Sequence, residues 1–541
     1  MNNCFSQIPA PKNETVLNYA PEAPETKELK NHLAAMARME IEVPLVINGK
    51  EVRTGKTESI IQPHKHQHKL GYFHKAGPDE VKSAIQGALS VAKDWAAMPY
   101  SARAAIFLKA AELLATKYRP VLNAATMLGQ GKTCYQAEID SACELIDFLR
   151  FNCHFQEQMY SMQPISAPGM WNRMEYRPLE GFIFAVTPFN FTAIAGNLTT
   201  SAALLGNVVV WKPASTAVYS GHFIMKLLEE AGLPPGVIQF VPGSGAAVGD
   251  ICIRDKNLAG VHFTGSTGVF QDMWKNIGEN IHQYRSYPRI VGETGGKDFV
   301  FAHPSADVDG LVAAIVRGSF EYQGQKCSAA SRAYIPKSLW KEVKEKLVAE
   351  VKTIKMGDIS DFKNFMGAVI DKKSFDNIRG YLEGVAQSKD SEIIVGGKCR
   401  DEEGYFVEPT VIETKNPHYR TMCEEIFGPV MTVYVYEDSQ FEETLKICDE
   451  TSPYALTGCI WAQDRRVIET TMTRLSQSAG NFYINNKPTG AVVGQQPFGG
   501  ARGSGTNDKA GSLLNLLRWV SVRTVSETFS PPKNYRYPFM A

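Results

Sequence analysis

The sequence predicts an α/β protein of more than one domain, on three observations. At 541 residues the chain is longer than one hydrophobic core organises. From Gly181 onward short apolar runs alternate with segments of helical period, and the alternation resumes after Asp298. That texture marks βαβ units and parallel sheets, here two of them. Residues 174–177 and 519–525 have a different texture and read as antiparallel strands outside those sheets.

Taken in order, the first forty residues are rich in Pro and polar groups and are expected to wrap the surface. Apolar residues recur at helical spacing over 79–97 and 101–118, behind Pro78 and Ser101, and again over 134–151. The first α/β series then reads strand 181–186, helix 199–205, strand 208–211, helix 217–231, strand 237–241, helix 247–253 and strand 260–263. The second reads strand 299–302, helix 308–322, strand 332–335 and helix 339–355. Exposed edges on 174–177 and 519–525 invite pairing with another subunit, so these strands are expected to build at least a homodimer. A hairpin packed on its own chain fits the same periodicity.

Composition excludes several classes. Lys+Arg and Asp+Glu balance at 57 each, leaving no basic footprint for nucleic acid. The ten cysteines, Cys4 among them, include no CxxC pair, which removes zinc-ribbon and dithiol-redox readings and suits a reducing compartment. Pro188, Asn190, Asn197 and Asn207 interrupt the apolar region 182–211, so no membrane span is expected. The first thirty residues hold Glu14, Glu22, Glu25 and Glu28 but no Arg, and a cytoplasmic location is the expectation. His64, His66 and His68 read as a solvated strand, with no metal expected. Gly131-Lys-Thr133 imitates a phosphate loop, but Thr126 stands where its first glycine belongs; Gly243 to Gly249 is one residue too long for a dinucleotide fingerprint.

Four segments carry chemistry. Cys327 lies in Tyr322-Gln-Gly-Gln-Lys-Cys-Ser-Ala329, a glycine-containing loop between helix and strand, where Lys326 would favour a thiolate. Val291-Gly-Glu-Thr-Gly-Gly-Lys-Asp298 puts the Glu293 carboxylate at a strand end. Thr187-Pro-Phe-Asn-Phe191 puts the Asn190 amide at another, where open α/β sheets bind ligands. Phe263-Thr-Gly-Ser-Thr-Gly268 can turn backbone N–H groups toward phosphate.

With WKP at 211–213, EEIFGP at 424–429 and PFGG at 497–500, these segments resemble the aldehyde dehydrogenase superfamily from about residue 45 to 525, in the family's order. The resemblance implies a Rossmann-type NAD-binding domain (1–155 and 180–297), a second α/β catalytic domain (298–505) and a small oligomerisation flap (156–179 and 506–541). It implies that Cys327 attacks an aldehyde, that Asn190 and the Cys327 N–H form the oxyanion hole, and that Glu293 activates water against the thioester. A base at 293 argues against transfer to coenzyme A. For NAD it implies Lys212 on the adenosine ribose, Gly265 and Ser266 on the pyrophosphate, and Glu425 and Phe427 at the nicotinamide ribose. Ser215 replaces the glutamate common in NAD-specific members, which leaves NADP use open.

Within the superfamily, residues 136–148, the Ser-Ala after Cys327 and the stretch 488–500 resemble members that oxidise L-glutamate γ-semialdehyde to L-glutamate in proline breakdown. That resemblance implies Ser328 with the N–H groups of Gly490 and Ala491 for the substrate carboxylate, Phe191 and Phe498 around its aliphatic chain, and Glu144 near the site. A solvated helix carboxylate is the competing account of Glu144. Any proline dehydrogenase would be a separate protein. Two alternatives stay open: a succinate-semialdehyde dehydrogenase, against which stands the lack of Arg in 487–496, and a non-catalytic binding member, against which stand Cys327, Glu293 and Asn190 together.

Overall fold

The structure, a computed structural model, describes residues 7–540; Cys4 and the ends of the two terminal segments assigned above lie outside the described residues. Five parallel strands, apolar on both faces, form the heart of the first sheet. Their spatial order is Arg289–Glu293, Leu258–Thr264, Phe182–Val186, Val208–Lys212 and Ile238–Phe240, and Leu45–Ile47 with Lys50–Val52 continues the sheet antiparallel. The chain winds outward from Phe182–Val186 in one direction and then returns to its other side. Strand order therefore reverses at this strand, and open α/β sheets bind ligands at such a switch point. Asn190 and the 264–266 loop emerge there.

A second sheet is ordered Ser391–Val395, Thr410–Thr414, Val430–Tyr436, Ala330–Pro336, Asp298–Ala302, Thr457–Trp461 and Asn481–Ile484, parallel except for its first strand. Arg289–Glu293 ends the first sheet and Asp298–Ala302 sits inside the second, so Glu293 stands at the crossing between them.

Several helices depart from the sequence reading. Pro24–Ala37 lies within the segment expected only to wrap the surface; Pro24 opens it and Leu29, Leu33 and Met36 are buried. Arg119–Gln130, buried almost all round, has no counterpart in that reading. Thr192–Leu204 starts earlier than 199, because it is buried all round and shows no amphipathic period to read. Thr267–Glu279 begins inside what reads as a small-residue loop. The helix expected over 134–151 extends to Ser161 and contains a π-helical stretch, Glu138–Cys143.

Met170–Pro178 pairs antiparallel with Val520–Thr528 along its whole length, with Trp171 and Val522 exposed. The histidine run is less solvated than expected. His64 is buried, His66 stacks on Tyr405, and no metal-holding cluster occurs among the described residues. Lys132, in the false phosphate loop, is buried against Asp140 at 2.6 Å.

Candidate active site

Helix Val308–Phe320 runs into a turn in which Tyr322, Gln323 and Gly324 all take left-handed φ of 53°, 54° and 65°. Non-glycine residues enter that region only when surrounding contacts hold them there. Here the Tyr322 hydroxyl donates to Gln130 O at 3.0 Å, and Gln323 Nε2 donates to Gly131 O at 2.9 Å and Ala368 O at 2.8 Å. The turn delivers Cys327, half-buried, to the wall of a cleft. Asn190 Nδ2 donates to Gln325 O at 3.0 Å, which holds its amide beside the nucleophile loop.

The expectation about Lys326 needs correction. Its ammonium turns away from the sulfur, donating to Gln136 Oε1 at 2.5 Å with Asp140 and Glu321 carboxylates within 4 Å. Burial, then the negative charges of Asp298, Glu293 and Glu425, pushes the Cys327 thiol above its ordinary range. Glu293, lining the same cleft, is itself held well above the usual carboxylate range, first by burial. The Gly500 N–H, 2.9 Å from its Oε2, and the Lys509 ammonium oppose that rise, and Asp508 adds to it.

Ser328, Gly490, Ala491, Phe191, Phe498 and Glu144 line this cleft with Cys327 and Glu293. Ser328 Oγ lies 2.8 Å from Thr489 Oγ1, and Gly490 sits at φ 93°, where an L side chain is strained. Glu144 is not a solvated helix carboxylate. It follows directly on the π-helical stretch, and burial, then Asp140, pushes its carboxyl well above the usual range despite Lys132 and Lys326. Lys132 Nζ stands 4.1 Å from the Phe191 ring centroid, so this ring stacks on a buried cation.

Sequence reasoning missed the ionic group beneath the nucleophile loop: Lys132 with Asp140, Lys326 with Gln136, and Lys487 with Glu321 at 2.7 Å. These lysines sit in loops, where a charge reads as solvated, and Gln136 and Glu321 lie 190 and 166 residues from Lys326 and Lys487. It also missed Thr489, Gln496 and His262 in the cleft wall.

The residues assigned to the dinucleotide do not line this cleft: Lys212, Gly265 and Ser266 lie at strand ends around the switch point, and Glu425 and Phe427 just before Val430–Tyr436 of the second sheet. Lys212 ends Val208–Lys212, and its ammonium has no hydrogen-bond or ionic partner among the described residues while burial lowers its pKa. Ser266 is the N-cap of the thirteen-residue helix Thr267–Glu279 without its side chain capping a backbone N–H, so that helix end is free to take a phosphate. Glu425 accepts from Gly296 N at 2.9 Å, and burial raises its carboxyl to about 7. Phe427 is held at φ 59° with its ring edge-on to Phe189. Ser215 opens the short turn Ser215–Ala217 after Lys212. An unpaired cation, an open helix N-terminus and a carboxylate on the Glu293 side of the nucleophile fit a dinucleotide.

Residues 51–525 match the sequence pattern of the aldehyde dehydrogenase family, and the chain belongs to that family. Its relatives narrow the class. It is 56% identical over 538 residues to the Delta-1-pyrroline-5-carboxylate dehydrogenase, mitochondrial, of Dictyostelium discoideum, covering 99% of this chain and 96% of that one. The human protein of the same name is 47% identical, with 98% and 94% covered. Among solved structures, the Delta-pyrroline-5-carboxylate dehydrogenase from Mycobacterium tuberculosis bound with NAD superposes with a TM-score of 0.97 at 51% identity, over 100% of both chains.

The expected cytoplasmic location is corrected by these relatives, since the slime-mould and human proteins are both named as mitochondrial. The N-terminal composition misled for a structural reason. Glu14 pairs with Arg119 and Arg150 in the folded chain, so that carboxylate serves packing and says little about destination.

Proposed function

We propose that this chain oxidises L-glutamate γ-semialdehyde, the open form of Δ1-pyrroline-5-carboxylate, to L-glutamate with NAD as oxidant. The observation that carries this reading is that one cleft is lined by Cys327 and Glu293 and also by Ser328, Gly490 and Ala491. The substrate needs both ends: an aldehyde to be attacked and a carboxylate to be held, with an aliphatic stretch between them for Phe191 and Phe498.

In this mechanism Cys327 gives up its proton and its sulfur adds to the aldehyde carbon, forming a thiohemiacetal. The Asn190 amide and the Cys327 N–H receive the oxyanion, and losing one such donor typically costs about a hundred- to a thousand-fold in rate. Lys212, Gly265, Ser266, Glu425 and Phe427 would hold NAD, which would supply the hydride acceptor that turns the thiohemiacetal into a thioester. Glu293 then takes a proton from water as that water attacks the thioester on sulfur, releasing the acid and freeing Cys327. Ser328 and the N–H groups of Gly490 and Ala491 fix the far carboxylate, since a glycine-containing loop can turn successive amides to one anion.

The test follows NADH formation with Δ1-pyrroline-5-carboxylate, succinate semialdehyde and propanal at matched concentrations. The expected kcat/KM for the pyrroline far exceeds the other two, and a preference for succinate semialdehyde would overturn the assignment of the anchor. Cys327→Ala is expected to abolish turnover while binding NAD normally by calorimetry.

A further inference from the structure

The segment before the first helix does more than cover surface. Asn13 Nδ2 donates to Asp147 Oδ2 and to Val493 O, each at 2.8 Å, and its Oδ1 accepts from Gln495 Nε2 at 2.8 Å. One side chain thus joins two walls of the cleft. Asp147 lies one turn beyond Glu144 on helix Glu144–Ser161, and Val493 ends the loop that presents Gly490 and Ala491. The arm around Asn13 is tied to the helix side at several points: Glu14 N donates to Asp147 Oδ1 at 2.7 Å, and Leu17 N and the Tyr19 hydroxyl both reach Glu138. The loop has few other restraints toward the helix. Its own hydrogen bonds are local: Gln495 N and Gln496 N donate to Val492 O, and Val492 N donates to Gln496 Oε1. Gly494 approaches Phe151 closely, an apolar contact that sets distance but not register.

We propose that Asn13 is a positioning residue for substrate selectivity, holding the 490–493 loop at fixed register against the Glu144 helix so that the Gly490 and Ala491 amides meet the substrate carboxylate. The proposal rests on the reading that this loop binds that carboxylate. Asn13 does not border the cleft, so it acts through the loop alone. An amide is required because it must donate to a carboxylate and a carbonyl while accepting from a glutamine amide; aspartate has the wrong hydrogen-bond sense for the first two.

Register matters only to a substrate with a carboxylate to place, and this makes the inference testable. Steady-state kinetics on the wild type, Asn13→Ala, Asn13→Asp and Gln495→Ala would compare Δ1-pyrroline-5-carboxylate with propanal, and calorimetry would follow L-glutamate binding. Both Asn13 variants are expected to raise KM for the pyrroline by about tenfold, the equivalent of one or two hydrogen bonds, and to weaken glutamate binding in step. Turnover of propanal should stay unchanged. Gln495→Ala is expected to show the same pattern to a smaller degree. Equal losses on both aldehydes, or an unchanged ratio between them, would overturn the proposal and leave Asn13 a stability contact. A wild type with no preference for the pyrroline would overturn the carboxylate reading itself, and is recognised before any variant is examined.

Discussion

At the scale of single residues, charge placement around Glu293 decides when the site can work. Burial raises the Glu293 carboxyl, which in the proposed mechanism serves as a base only as pH climbs through that raised pKa. Hydrolysis of the thioester should therefore fade as pH falls through that point. Lys509 works against the rise. Its ammonium donates to Gly480 O at 2.7 Å and Gly499 O at 3.2 Å, next to the Gly500 N–H that holds the carboxylate. Lys509→Met removes the positive charge while keeping most of the volume, so the acid limb of the kcat–pH profile is expected to move to higher pH. Near neutral pH a fast burst of NADH should precede a slowed steady state, and Lys509→Arg should restore the wild-type profile. A slower enzyme with an unmoved acid limb would assign Lys509 a purely structural part.

At the scale of elements, the turn before Cys327 is the part of the site with least freedom. Gly324 takes φ 65°, and a Cβ there would stand 2.3 Å from Gly428 O, too close for any real contact. Gly324→Ala is expected to cost roughly 1–3 kcal/mol, the usual range for a strained backbone position, measurable by chemical denaturation. Activity should fall further than stability, because the turn aims the nucleophile and Gly428 adjoins Phe427 on the dinucleotide side. How much of the elements was legible in the sequence depended on burial. Strands apolar on both faces and helices with one apolar face, such as Pro78–Ala97 and Lys337–Thr353, were legible from their periodicity. Thr192–Leu204, buried all round, was legible only at its C-terminal end, because a helix without a polar face has no period.

At the scale of the whole molecule, the ribbon of Met170–Pro178 and Val520–Thr528 unites segments more than three hundred residues apart and exposes Trp171 and Val522. Backbone bonds satisfy one edge of each strand, and a two-stranded ribbon is marginally stable alone. We expect it to be covered by a second copy, so light scattering at micromolar concentration should give a dimer or larger. Trp171→Arg should shift that equilibrium toward monomer, and a monomeric wild type would refute the expectation.

The residue types at Cys327, Glu293 and Asn190, the alternation of strand and helix around them, and the glycine-containing loop at 490–491 were legible in the sequence alone. Each is local: a residue type, a period or a turn. Only the tertiary structure decided what surrounds them. It turned Lys326 away from the sulfur and into an ionic group with Asp140 and Glu321. It buried Glu144, which could equally have been solvated. It also carried Asn13 to Val493, 480 residues along the chain. Burial and long-range pairing set the charge state and register of these groups, and neither leaves a periodic trace in sequence.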